Sequence, residues 1–159
     1  MVKKFVYGTP FETEAVVKEI PSSEGNSDYG TFSTENGFSF TTKLTDDDMV
    51  FGLGEANRGI NKRGFLYISD CADDPNHVES KTSLYAAHNF IIISGKTHVG
   101  FFFDYPGTLR FDIGYTTSDT MTVSCENADL YVYMITGDSD LDIVKQFRGI
   151  IGRSYIAPK

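Results

Sequence analysis

The 159-residue sequence has no tryptophan, two cysteines, five prolines and no apolar run long enough to span a bilayer. Each shortage excludes something. Without Trp, the largest aromatic platform for a sugar ring is missing, which counts against a dedicated carbohydrate-binding module. Cys71 lies in a polar, loop-like stretch and Cys125 in an alternating apolar one. Neither has a partner at metal-ligand spacing, so both read as free thiols of a reducing cytoplasm. Basic residues are also few: 14 Lys and Arg stand against 22 Asp and Glu, for a net charge of −8. Nucleic-acid binding needs a basic footprint, and an anionic membrane surface would repel this chain, so neither partner is expected. The opening "MVKKFVYGTPFETEAVV" carries two lysines but no apolar h-region, because Glu12 and Glu14 interrupt it. No secretory signal is therefore read, and a cytoplasmic location is expected.

What is present is β-rich. The sequence holds 13 Phe, 9 Tyr and 15 Gly, and turn signals recur along most of its length. Residues 1–28 are weakly patterned and broken by Pro10, Pro21 and "SSEGNSD". From Tyr29 the rhythm is clear: "GTFSTENGFSFTTKL" sets Phe32, Phe38 and Phe40 around Asn36-Gly37, a pair suited to a two-residue hairpin turn. Short strands follow in "TDDDMVFGLGE" after its charged turn, around Phe65, Tyr67 and Ile68, on either side of "SGKT", and after "PGT". The runs "FIII" and "VGFFF" are apolar at consecutive positions, which assigns them to a sandwich interior. Only after Gly137 does the period change. In "DSDLDIVKQFRGIIG", Leu141, Val144, Phe147 and Ile151 recur at helical spacing, with Ile143 and Ile150 widening the face. Ser139 and Asp142 have capping-box spacing, and Gly152 supplies a stop. The expected architecture is all-β: one antiparallel β-sandwich domain over residues 1–159, closed by one C-terminal α-helix.

Few residues offer chemistry. Asp46 to Asp48 read as a solvated turn. Asp73 and Asp74 sit in "CADDPNHVESKTS", a long irregular connection of the kind that carries binding groups. His98 is placed at a hairpin tip on the surface, His88 in an apolar strand, and His77 beside the two aspartates. None has metal-ligand spacing, so no metal and no cofactor are expected. "GLGEANRG" lacks both the Lys-Ser/Thr ending and the following helix of a phosphate loop.

Four segments in order carry more meaning than any alone. "VFGLGE", "LYAAHNF", "VGFFFDYP" and "DLYVYMITGDSDLDIVKQFRGIIGRSYIAPK" resemble the N-terminal β-sandwich domain of glycoside hydrolase family 31, nearest to its bacterial α-glucosidases. The resemblance covers residues 45 to 159 well and the first forty loosely. Ala86 departs from a frequent glycine, and Asp104 stands where many members have asparagine. The resemblance implies a galactose-mutarotase-like sandwich whose final "GR-x-x-x-x-P" leads into a catalytic (β/α)₈ barrel. The family's catalytic aspartates lie on that barrel, so no catalytic residue is assigned to this chain.

A loop of the family's sandwich reaches over the barrel mouth and contacts sugar. Its match here is "SDCADDPNHVESKTS", with Asp73 and Asp74 as the substrate-binding candidates. A carboxylate there suits the task, because it accepts hydrogen bonds from sugar hydroxyls. The implied partners are an α-glucoside and a barrel on the same parent chain. A homodimer through the barrel-facing surface near Tyr155 and Ile156 is also expected. Two other readings stand beside this one: a free-standing carbohydrate-binding sandwich, and a mutarotase-like sugar epimerase. The latter would need His77 or His88 to converge with a carboxylate in one cleft.

Overall fold

A computed structural model describes residues 1–154 of the chain. Ten strands form two five-stranded antiparallel sheets. The first sheet has the order β1 (Val2–Tyr7), β10 (Leu130–Gly137), β7 (His98–Asp104), β6 (Phe90–Ser94), β4 (Met49–Gly52). The second has the order β2 (Thr31–Ser33), β3 (Phe38–Lys43), β9 (Thr120–Cys125), β8 (Leu109–Ile113), β5 (Phe65–Ser69). One helix, α1 (Asp140–Ile151), follows β10. The expected sandwich with a terminal helix is what the chain forms.

Strand periodicity explains where the core sits. Odd positions of β6 and β7, such as Ile91, Ile93, Phe101 and Phe103, point between the sheets and meet Phe40, Phe111, Met121 and Val123. Even positions point outward, yet Phe90, Ile92 and Phe102 are also buried, because α1 covers them. "FIII" and "VGFFF" are thus apolar on two faces for two reasons: one face meets the second sheet and the other meets the helix. Gly100 lies under α1, where an added Cβ would come within 2.5 Å of Ile143 Cγ2. A larger residue there would push the helix away from the sheet.

The helix sits slightly rotated from the expected face. Ile143, Phe147 and Ile150 are its buried residues, while Leu141 and Val144 are 63% and 43% exposed. Ser139 is the N-cap and accepts from Asp142 N–H at 3.2 Å. The Asp142 carboxylate reaches Asp138 N–H rather than closing a reciprocal box on Ser139. His98 is not a free surface residue. Its Nδ1 lies 2.7 Å from Asp140 Oδ1 and joins the β6–β7 hairpin to the first turn of α1. At the other end, Ile150 O accepts from Val17 N–H at 2.9 Å, so residues 9–21 form a strap across this side of the molecule.

Two other local expectations change. The β2–β3 turn is longer than two residues, with Ser33 paired to Ser39. Of Asn36 and Gly37 only Gly37 has positive φ, whereas a two-residue type I′ turn needs both. The "VFGLGE" segment is a backbone device. Gly52, Leu53 and Gly54 are all left-handed, with φ of 121°, 69° and 70°. This bend lets Glu55 N–H donate to Ala86 O (2.9 Å) while Glu55 Oε2 accepts from Ala86 N–H (3.2 Å). "VFGLGE" and "LYAAHNF" are therefore two halves of one contact. Ala86 is not among the residues of positive φ, so alanine fits where glycine is frequent. Tyr155 and Ile156 lie outside the described residues.

Candidate functional site

The long connection after β5 folds back on itself. Its base is closed by Ile68 N–H to Thr82 O (2.9 Å) and Ala72 N–H to Leu84 O (2.9 Å). Arg58 fastens it from outside. The guanidinium donates to Leu66 O (2.8 Å), Glu79 O (2.9 Å) and Ser80 O (3.2 Å), and lies 4.3 Å from the Phe65 ring centroid. Three carbonyls on two segments make Arg58 a clamp for the loop, a role its place in "GLGEANRG" did not disclose.

The two candidate aspartates have different surroundings. Asp74 is bonded to Lys81 Nζ and accepts from Asn76 N–H at 2.9 Å. Those bonds, with the Lys81 bond the larger, hold its carboxyl below the usual range. Its main-chain carbonyl accepts from Tyr85 OH (3.3 Å), and the Tyr85 ring meets His77 edge-on. Asp74 thus orders the loop. Asp73 is exposed, and its side chain makes no hydrogen bond among the described residues. Of the two candidates, Asp74 is therefore committed and Asp73 is free.

A groove of about 490 Å³ opens beside the root of this loop. It is bordered by Ser69, Asp70 and Cys71, by Thr13 and Ala15 of the strap, and by His88, Asn89, Asp104 and the turn 105–108. Neither Asp73 nor Asp74 lines it; Asp70 does. Asn89 closes its inner end, bonding Ser69 Oγ and donating to Tyr105 O (3.2 Å). His88 precedes β6 rather than lying within it. Its ring stands edge-on to Phe147 at 5.8 Å, and loss of hydration there pushes its pKa down. His77 stays on the loop, so His88 is the histidine that shares a groove with a carboxylate.

Asp104 is 6% exposed and accepts from Thr13 Oγ1 at 2.5 Å. Desolvation raises its pKa, the Thr13 bond and Lys4 oppose that, and Glu12 adds to it. A carboxyl with a raised folded pKa binds its proton more tightly when folded. Its contribution is fully favourable below the unfolded pKa of about 3.9 and is lost as pH rises through the folded value. Asp104→Asn keeps the acceptor for Thr13 and removes the buried charge. It should therefore raise the thermal midpoint at pH 7, with the gain closing as the buffer nears about pH 4. Melting curves of both proteins at the two pH values check this, and an equal gain at both would contradict it.

Both cysteines are free: Cys71 is exposed, and Cys125 is half-buried with its pKa pushed up to about 11 by desolvation. Among the described residues no cluster of three His, Cys, Asp or Glu could hold a metal ion. No helix among them is long and apolar enough to cross a membrane.

Comparison with known proteins agrees with this fold. The profile of the glycosyl hydrolase 31 N-terminal galactose mutarotase-like domain matches residues 8–112. The chain is 22% identical over 162 residues to an α-glucosidase of Saccharolobus solfataricus, which covers 99% of this chain and 23% of that protein. It is 29% identical over 122 residues to α-glucosidase 2 of Bacillus thermoamyloliquefaciens, covering 74% of this chain and 15% of the relative. Among solved structures it is similar to a family 31 dextranase of Flavobacterium johnsoniae complexed with isomaltotriose. That match has a TM-score of 0.73 and 25% identity, over 80% of this chain and 16% of the other. A cycloalternan-degrading enzyme of Trueperella pyogenes shares the fold at TM-score 0.70 and 18% identity, over 84% and 22% of the two chains. The chain thus spans less than a quarter of each curated relative.

Proposed function

Because the chain belongs to the glycosyl hydrolase 31 N-terminal galactose mutarotase-like domain family, we propose that it is the non-catalytic sandwich of a longer enzyme acting on α-glucosides. It supports a catalytic (β/α)₈ barrel on the same polypeptide and lends the 70–83 loop to sugar binding. The observation that carries this reading is the span: 99% of this chain aligns with 23% of an α-glucosidase. The rest of such an enzyme has room for the barrel, which needs about 250 residues.

The loop's chemistry supports the division of labour. Retaining hydrolysis needs two carboxyl groups about 5 Å apart on opposite sides of the scissile bond. Asp73 and Asp74 do not make that clamp, because Asp74 is committed to Lys81 and Asn76. Of the two candidates Asp73 is the one free to accept from a sugar hydroxyl, and Asp70 is the loop carboxylate that lines the groove. The unpaired thiols suit a reducing compartment such as the cytoplasm.

The 159-residue chain should show no turnover of a chromogenic α-glucoside above buffer. Turnover that disappears in Asp73→Ala or Asp74→Ala would overturn the proposal. In the longer enzyme, Asp73→Ala should raise KM more than it lowers kcat, as expected when a contact common to ground and transition states is removed.

A further inference from the structure

The outer face of the first sheet is built in rows across the strands. Two rows, Ile92–Gly100–Ile135 and Phe90–Phe102–Tyr133, follow from the pairing of β6, β7 and β10 and lie under α1. The next row is beyond the helix. Phe103 N–H donates to Asn89 O at 3.0 Å, which carries the ladder one step past the end of β6 and sets His88 opposite Asp104. Tyr131 is the partner of Asp104 on the other side. A polar row, His88–Asp104–Tyr131, therefore ends an otherwise apolar face, and the strap covers it only in part. The Tyr131 hydroxyl is taken by Glu12. His88 and Asp104 line the groove.

What they present there is specific. Asp104 uses Oδ1 for Thr13, and its Oδ2 has no partner among the described residues although the residue is only 6% exposed. That oxygen is not sealed from solvent, so it is open to a donor that enters the groove. The ring nitrogens of His88 have no hydrogen bond, and a neutral imidazole offers one donor and one acceptor. Phe102, packed under α1 and 8% exposed, shows only a small part of its ring there. No lysine or arginine lines the groove, so nothing there recruits an anion. The volume of about 490 Å³ falls within the range of small-molecule sites.

We propose that this groove binds one neutral pyranose ring, with a sugar hydroxyl donating to Asp104 Oδ2 and a second hydroxyl bonded to His88. The site is separate from the outer loop that carries Asp73. Choosing a glucoside as occupant rests on the functional reading above, whereas the pairing of acceptor and imidazole stands on geometry alone.

The test is a titration of the 159-residue chain with methyl α-glucoside, followed by amide chemical shifts. Saturable shifts are expected at residues 87–89 and 104–108. Asp104→Asn replaces the free acceptor by a donor and should weaken binding about tenfold, the effect of one charge-assisted hydrogen bond. His88→Ala should weaken it too. Absence of saturable shifts at the highest glucoside concentration the buffer holds would overturn the proposal. So would shifts confined to residues 73–81 that survive Asp104→Asn, a result that would still favour the loop as the sugar contact. Groove binding by a chain whose longer form hydrolyses no α-glucoside would instead retain this site and defeat the enzyme reading.

Discussion

Replacing Phe147 by alanine is expected to destabilise the domain by about 3–5 kcal/mol, the range for truncating a buried aromatic. Phe147 is 7% exposed and stacks on Phe90 with centroids 3.9 Å apart and planes within 3°. Its ring also meets Phe102 edge-on at 5.2 Å. Truncation would open a cavity between helix and sheet where three aromatic side chains now meet, and a backbone-fixed helix cannot collapse into it. Leu141→Ala, on the same helix but 63% exposed, should change stability by less than about 0.5 kcal/mol. Urea unfolding of the two variants measures the difference. Equal effects would mean that α1 is seated by the face read from its sequence spacing and not by the one seen here.

Arg58→Ala is the second large effect, about 2 kcal/mol after allowance for the partial exposure of the guanidinium. The larger consequence is local. With Leu66, Glu79 and Ser80 carbonyls released together, the loop loses its outer fastening while its base bonds remain. Amide exchange should accelerate across residues 70–83 and stay slow in β6 and β7. Arg58→Lys should rescue little, because an ammonium cannot fork to three separated carbonyls and does not stack as a guanidinium does. If exchange in the loop is unchanged in Arg58→Ala, the Lys81–Asp74 pair and the base bonds are enough to order it.

The fold was readable where one period dominated. Alternation in "FSFTT" and "MTVSC" and the change to a helical period after Gly137 led to the sandwich and its helix. Leu141, Val144, Ile143 and Ile150 are all apolar, so hydropathy alone draws a face wide enough for two neighbouring stripes. Gly100 and the outward Phe90 and Phe102 selected one of them through tertiary contact. Arg58 was invisible because its partners are main-chain carbonyls, which leave no trace in side-chain identity. The His88–Asp104 neighbourhood was within reach of counting. An antiparallel hairpin turning at 95–97 sets 88 across from 104, although that pair lies past the end of β6. Asp73 and Asp74 are indistinguishable in sequence, and the Lys81 contact separates them.

The central proposal is that this sandwich belongs to a longer glycosidase whose catalytic carboxylates lie elsewhere on the chain. Reading the coding sequence that follows Lys159 tests it most directly. The account predicts an open frame continuing through a repeating strand–helix pattern long enough for a (β/α)₈ barrel, with aspartates at strand ends. A stop codon directly after Lys159 would contradict it and make the chain a free-standing domain.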